Sequence, residues 1–195
     1  MKIGMPALRL LPICLGLVFG FLPAANAAKT HLTKVARVEA PPAGKVLVNI
    51  HGTFRDLIRY PIFDDTGRFL MDMPQHSEYQ LICEPGTKSF VAWISMGGNV
   101  VIATAELAPD KIYDLALERH GFAAKFVVLA KDPKYRKKLV ALEKGEKDKV
   151  FTLDRDEAAI AFEASQKQHI EDIKRDFLGG KKSERVVHVS KDDCR

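Results

Sequence analysis

The chain has 195 residues, 30 of them basic and 25 acidic, with 47% hydrophobic residues and three cysteines. So few cysteines exclude a disulfide-stapled scaffold, and the length suits one hydrophobic core with an appendage better than two full domains. The formal charge of +5 is only mildly basic.

Residues 1–27 read as a secretory signal. Lys2 and Arg9 precede an apolar run over residues 10–22, and Ala25-Asn26-Ala27 closes it with the small-x-small pattern of a signal peptidase site. The run covers 13 residues, where a spanning helix needs about 20. The mature chain is therefore expected to begin at Ala28, periplasmic or secreted, and not membrane-spanning once processed. Processing leaves 28 basic and 25 acidic residues, a net charge of +3, and only Cys83 and Cys194.

Residues 28–44 read as a linker, with Ala40-Pro41-Pro42-Ala43-Gly44 as a stiff lead-in to the first strand. From residue 45 to 130 short alternating runs are cut by turn residues, the pattern of an antiparallel sandwich. Strands are predicted over 46–51, 60–63, 68–73, 78–83, 88–95, 99–107, 111–118 and 122–130. Asp64-Asp65-Thr66-Gly67, Glu84-Pro85-Gly86 and Gly97-Gly98-Asn99 supply turns. Alternation assigns faces: Val46, Val48 and Ile50 point inward while Asn49 and His51 point to the polar side, and Tyr113, Leu115 and Leu117 oppose Asp114 and Glu118. Cys83 follows Tyr79 and Leu81 on an inward face and reads as a buried, unpaired thiol. The run 90–94, containing Phe90 and Trp93, is apolar on both faces, so its outer side needs a cover.

The period changes after residue 130. Asp132-Pro133 opens a helix carrying Tyr135, Leu139 and Leu142 at helical spacing, with Gly145 as its end. Residues 149–153 read as a short extended piece. Asp154, with Glu157 three residues later, opens a second helix whose stripe is Ala159, Phe162, Ile170, Ile173 and Phe177, ending at Gly179-Gly180. This helix is expected to dock on the face carrying Val91 and Trp93. The helical extension spans 131–178. The charged tail 179–195 reads as disordered, apart from a short strand near 185–189. The fold class is thus mainly β with α, an antiparallel β-sandwich followed by a C-terminal helical extension.

The segment Ala40 to Ile50 entering the first strand, Glu84-Pro85-Gly86-Thr87-Lys88 between two strands, and the segment Ala108 to Leu115 carry a resemblance. Over roughly residues 40–120 the chain resembles an exported bacterial family of unknown function that is similar to PEGA and peptidase-regulatory-like sandwiches. The chain lacks the lipobox cysteine of the commonest family pattern at the cleavage site. The resemblance implies a non-catalytic envelope module and transfers no functional residue.

Chemistry-bearing motifs are sparse. Asp65-Thr66-Gly67 matches the aspartic-protease triplet, but it has no second copy and it already satisfies a hairpin turn. His31, His51, His76, His120, His169 and His188 show no metal-ligand spacing and read as isolated surface histidines. No catalytic, cofactor-binding or metal-binding residue is assigned. The sharpest charge feature lies within residues 131–149, where Lys134, Arg136, Lys137, Lys138, Lys144 and Lys147 form a candidate anion-contact patch. Its partner would be an envelope protein or an anionic envelope component. Nucleic acid is excluded because stacking aromatics are not interleaved with the charges. The expected function is a non-catalytic periplasmic binding or structural module of the cell envelope. The alternatives are a carrier of small apolar ligands and a hydrolase.

Overall fold

The computed structural model describes residues 32–53, 59–93, 100–120, 123–132, 134–146, 149–178, 180, 182 and 186–195. Residues 1–27, expected to be a signal, and the Gly97-Gly98-Asn99 turn lie outside the described residues. Among the described residues the elements run β1 (Leu32–Lys34), β2 (Val46–Gly52), β3 (Tyr60–Phe63), β4 (Phe69–Met73), β5 (Glu78–Cys83), β6 (Gly86–Trp93), β7 (Val100–Leu107), β8 (Ile112–His120) and β9 (Ala123–Val128). A 3-10 turn at Leu129–Lys131 leads to α1 (Tyr135–Glu146), β10 (Val150–Leu153), α2 (Glu157–Leu178) and β11 (Val186–Val189).

The strands form a sandwich of two sheets, ordered β1-β10-β5-β2-β8-β9 and β11-β7-β6-β3-β4. Every predicted strand is present within about two residues. The expected purely antiparallel pairing is corrected: β2 pairs parallel with β8, β10 with β5, and β11 with β7. A tight hairpin such as β3–β4 or β8–β9 forces reversal, whereas a crossover leaves either direction open: β2–β8 is parallel, while β2–β5 and β3–β6 are antiparallel although strands of the other sheet intervene.

The β3–β4 hairpin turns where the sequence placed it. Asp64 Oδ1 accepts the backbone N–H groups of Thr66 and Arg68 and the Thr66 hydroxyl, and Gly67 sits at φ +83°. That is an Asx-type turn with glycine in the left-handed position, and it accounts for the Asp65-Thr66-Gly67 triplet. Gly52 ends β2 for a different reason, since a Cβ there would lie 2.7 Å from the Pro74 carbonyl oxygen. Only glycine permits that approach, beside His51.

Between the sheets lie Val46, Val48, Ile50, Tyr60, Ile62, Phe90, Tyr113, Leu115 and Phe126, all buried. Cys83 packs against this core as a free thiol, but it is half-buried where a buried one was expected, and Cys194 is likewise a half-buried free thiol. The outer face of the five-stranded sheet is apolar as well. Phe63, Phe69, Val91, Trp93 and Ile102 pack against Ala159, Ile170, Ile173 and Phe177 of α2, with Phe162 half-buried at the margin. Phe63 and Trp93 stack at 4.8 Å between ring centres, and Phe162 meets Phe69 edge-on at 5.0 Å. The two-faced apolar run therefore has its predicted cover. Helix α2 also guards the edge strand β4, where Glu163 accepts the Phe69 N–H at 2.9 Å.

Several expectations at element ends are corrected. The α2 cap is Asp156, whose carboxylate accepts the Ala159 N–H at 2.8 Å, while Asp154 accepts the Thr33 hydroxyl from β1. Helix α1 runs through Gly145 to Glu146, because a helical glycine only lowers propensity and stops nothing by itself. The linker is partly structured, since β1 pairs antiparallel with β10 and Val38 is bonded to Gln80.

The tail is likewise not disordered over Val186–Arg195. Strand β11 buries Val186 and Val189 on the β7 edge, the Tyr113 hydroxyl donates to the Lys191 carbonyl, and the Arg195 N–H donates to the Ile112 carbonyl. Its charge does not keep it unfolded, because two buried valines and hydrogen bonds to Tyr113 and Ile112 hold it.

Candidate functional site: a buried polar network under α1

On the outer face of the six-stranded sheet, three neighbouring strands bring polar side chains into register. Gln80, Asn49 and Asp114 form one row across β5, β2 and β8, and Glu78, His51 and Ala116 form the next. Asn49, His51 and Asp114 are the alternate positions that the sequence sets opposite the inward side chains. They do not face solvent: Asn49, His51, Glu78 and Asp114 are all buried. The cover has three parts. Helix α1 packs Leu139 on Ala116 and Leu129, with Tyr135 and Leu142 alongside. The segment after β1 brings Arg37 and Val38, and the tail brings Arg195.

Asp114 is the hub. Its Oδ1 accepts Asn49 Nδ2 at 2.8 Å, and its Oδ2 accepts the Tyr135 hydroxyl and Arg195 Nε, each at 2.9 Å. His51 Nε2 lies 3.4 Å from Oδ1 and Nδ1 lies 4.0 Å from Glu78 Oε2, so the ring is flanked by two carboxylates. Glu78 binds the Arg37 guanidinium. Glu143, two turns along α1 from Tyr135, accepts Arg37 at 2.8 Å and Arg195 at 3.0 Å. One helix carboxylate thus joins the segment following β1 to the tail. Gln80 completes the row by donating to Asn49 Oδ1 and to the Val38 carbonyl, both at 3.0 Å.

The electrostatics follow from this geometry. Burial alone would raise the Asp114 pKa, but hydrogen bonds from His51 and Asn49 and the charge of Arg195 hold the carboxyl below its ordinary value. Burial would lower Arg195, and the Asp114 and Glu143 charges outweigh it and raise the guanidinium instead. Tyr135 is pushed up by burial and by the adjacent Asp114 carboxylate. Asp114, Tyr135 and Arg195 are each stabilised in the form that bonds its neighbours, so the network acts chemically as a clamp holding three chain segments on one sheet face.

Sequence reasoning placed Asn49, His51 and Asp114 on the right side of their strands and missed their convergence. His51 is not a surface histidine: it is buried and lies between Asp114 and Glu78. His76, His169 and His188 are exposed, with His169 set edge-on against Trp93 at 5.1 Å. Among the described residues no group of three His, Cys, Asp or Glu side chains could hold a metal ion.

The basic patch divides. Lys138 is turned to Glu118 and Asp132. Lys134, Arg136, Lys137 and Lys144 are exposed, and Lys147 lies outside the described residues. Among the described residues no helix is long and apolar enough to cross a membrane. Compared with protein-family models and with curated proteins, the sequence matches none.

Proposed function

We propose that the chain is exported and acts as a non-catalytic binding or structural module of the bacterial cell envelope. The observation that supports this most is the saturation of Asp114. Both of its oxygens are occupied by side-chain donors, beneath a helix and two arginine-bearing segments. A general base must reach a proton on a substrate, and this carboxylate would have to shed Asn49, Tyr135 or Arg195 to do so. The His51–Asp114 pair therefore favours a structural role over the hydrolase alternative. The carrier alternative draws no support from the inter-sheet space, which is filled by Tyr60, Tyr113, Phe90 and their aliphatic neighbours. The tripartite N-terminus and the resemblance to exported sandwich modules supply the envelope part of the reading.

The test combines export and association. Mass spectrometry of the protein from its host should give a mature N-terminus at Ala28, and cross-linking of intact cells should recover it with envelope material. Intact Met1 in the soluble cytoplasmic fraction would overturn export. A turnover abolished by Asp114→Asn in a folded protein would overturn the non-catalytic role.

A further inference from the structure

The outward face of α1 carries unspent charge. Around the helix, Tyr135, Leu139 and Leu142 turn inward, which leaves Arg136, Lys137, Val140, Ala141 and Lys144 on the opposite side, with Lys134 just before the first turn. Among the described residues Lys134, Arg136, Lys137 and Lys144 have no ion-pair partner, whereas Lys138 on the flank is held by Glu118 and Asp132. Amid these cations Val140 is 63% exposed. A rigid helix, pinned to the sheet by Leu139 and by the Tyr135–Asp114 hydrogen bond, thus presents an apolar side chain within a ring of cations.

We infer that this face docks on an anionic phospholipid surface, the cations meeting phosphodiester headgroups and Val140 entering the interfacial layer. The inference rests on the reading of the chain as an envelope binding module. A protein partner fits the face less well. Protein interfaces are anchored by buried aromatic residues, and the aromatic residue that α1 itself carries, Tyr135, is committed to Asp114. Long flexible cations around an exposed aliphatic residue need no shaped partner. They suit a fluid, laterally uniform anionic surface.

The test is co-sedimentation of the processed protein with vesicles of phosphatidylethanolamine containing phosphatidylglycerol, against vesicles of phosphatidylcholine alone. Each basic residue at such a surface contributes about a fivefold factor in affinity, so Lys137→Gln with Lys144→Gln should weaken binding about 25-fold. Added salt should weaken it further, as screening shortens to about 10 Å at 0.1 M. Lys111→Gln with Lys167→Gln removes the same net charge from exposed sites outside α1, and should leave most of the binding. Val140→Asp should reduce binding and Val140→Trp should increase it.

All these side chains are exposed, and unchanged circular dichroism verifies that each variant is folded. Equal losses from the two lysine pairs, or no sedimentation with phosphatidylglycerol vesicles at low salt, overturns the inference. Wild-type protein that ignores these vesicles yet cross-links to an envelope protein in cells would retain the envelope reading and sink the lipid surface. A cytoplasmic protein with intact Met1 that still binds the vesicles through α1 would do the reverse.

Discussion

Replacing Asp114 by asparagine keeps the shape of the hub and removes its charge. Arg195 then faces a neutral amide while its other partner, Glu143, remains at 3.0 Å. Deleting one partner of a buried ion pair costs about 3–5 kcal/mol. Because the Arg195 side chain is 30% exposed, water recovers part of that loss, and the lower end, about 3 kcal/mol at pH 7, is expected. With a urea m-value of about 2–3 kcal/mol/M, the unfolding midpoint should fall by about 1–1.5 M. Trp93 is the chain's single tryptophan and lies on the other sheet, under α2, so its fluorescence reports cooperative unfolding and not a local change at Asp114.

The pH dependence carries the sharper test. The folded-state pKa of Asp114 is depressed, so its contribution is fully present above the unfolded carboxylate value of about 3.9 and is lost as pH falls through the folded value. The gap between wild type and variant should be flat from pH 7 to about 5 and should close only below about 4. A loss under about 1 kcal/mol at pH 7, or a gap that persists unchanged into strong acid, would refute the clamp.

Asp72 should behave in the opposite sense. Burial outweighs Arg59, 3.7 Å away, and pushes its carboxyl up to about 6, so its charged form costs stability as pH rises through that value. Asp72→Asn should therefore stabilise the protein by about 1–3 kcal/mol at pH 7 and by nothing below about pH 4, in the same urea titrations. For α2, Ile170→Ala should cost about 2–5 kcal/mol because the side chain is fully buried against the sheet. The half-buried Phe162→Ala should cost less than the ~3–5 kcal/mol of a fully buried phenylalanine, and a reversed order of the two losses would reject this packing.

The strands were legible because their information is local. Alternation in Val46 to Ile50 and in Tyr113 to Leu117 follows from the two-residue period of a strand, and turn chemistry at Asp64 to Gly67 needs only four residues. The cover over Trp93 was legible for a similar reason, since a run apolar on both faces and an unpartnered apolar helix stripe each demand the other. The polar network was not legible. Asn49, Glu78 and Asp114 lie on three strands and come into register through the antiparallel β2–β5 and the parallel β2–β8 pairings together, which no alternation pattern encodes. A buried polar face and a solvated one read identically along the chain. The difference is made by α1 and by two arginines, one at residue 37 and one at residue 195.

The two outer faces of the sandwich are closed by different physics, and the difference bears on what each can do. Helix α2 closes its sheet mainly by apolar area, with Phe63, Phe69 and Phe162 in ring contact, and such burial is non-directional. The opposite face is closed by directional bonds. Asp114 accepts Tyr135 and Arg195 only at one helix position and one tail position, and Glu143 joins Arg37 to Arg195 only when both segments are seated. Such a network adds little net stability over an apolar one, but it rejects alternative registers, because a slip of one residue leaves a buried carboxylate without donors. Register therefore reaches α1 from the strands. The helix that presents Arg136, Lys137, Val140 and Lys144 is fixed in rotation by Tyr135 at its start and Glu143 near its end, and that is the condition for its basic face to work as a single surface.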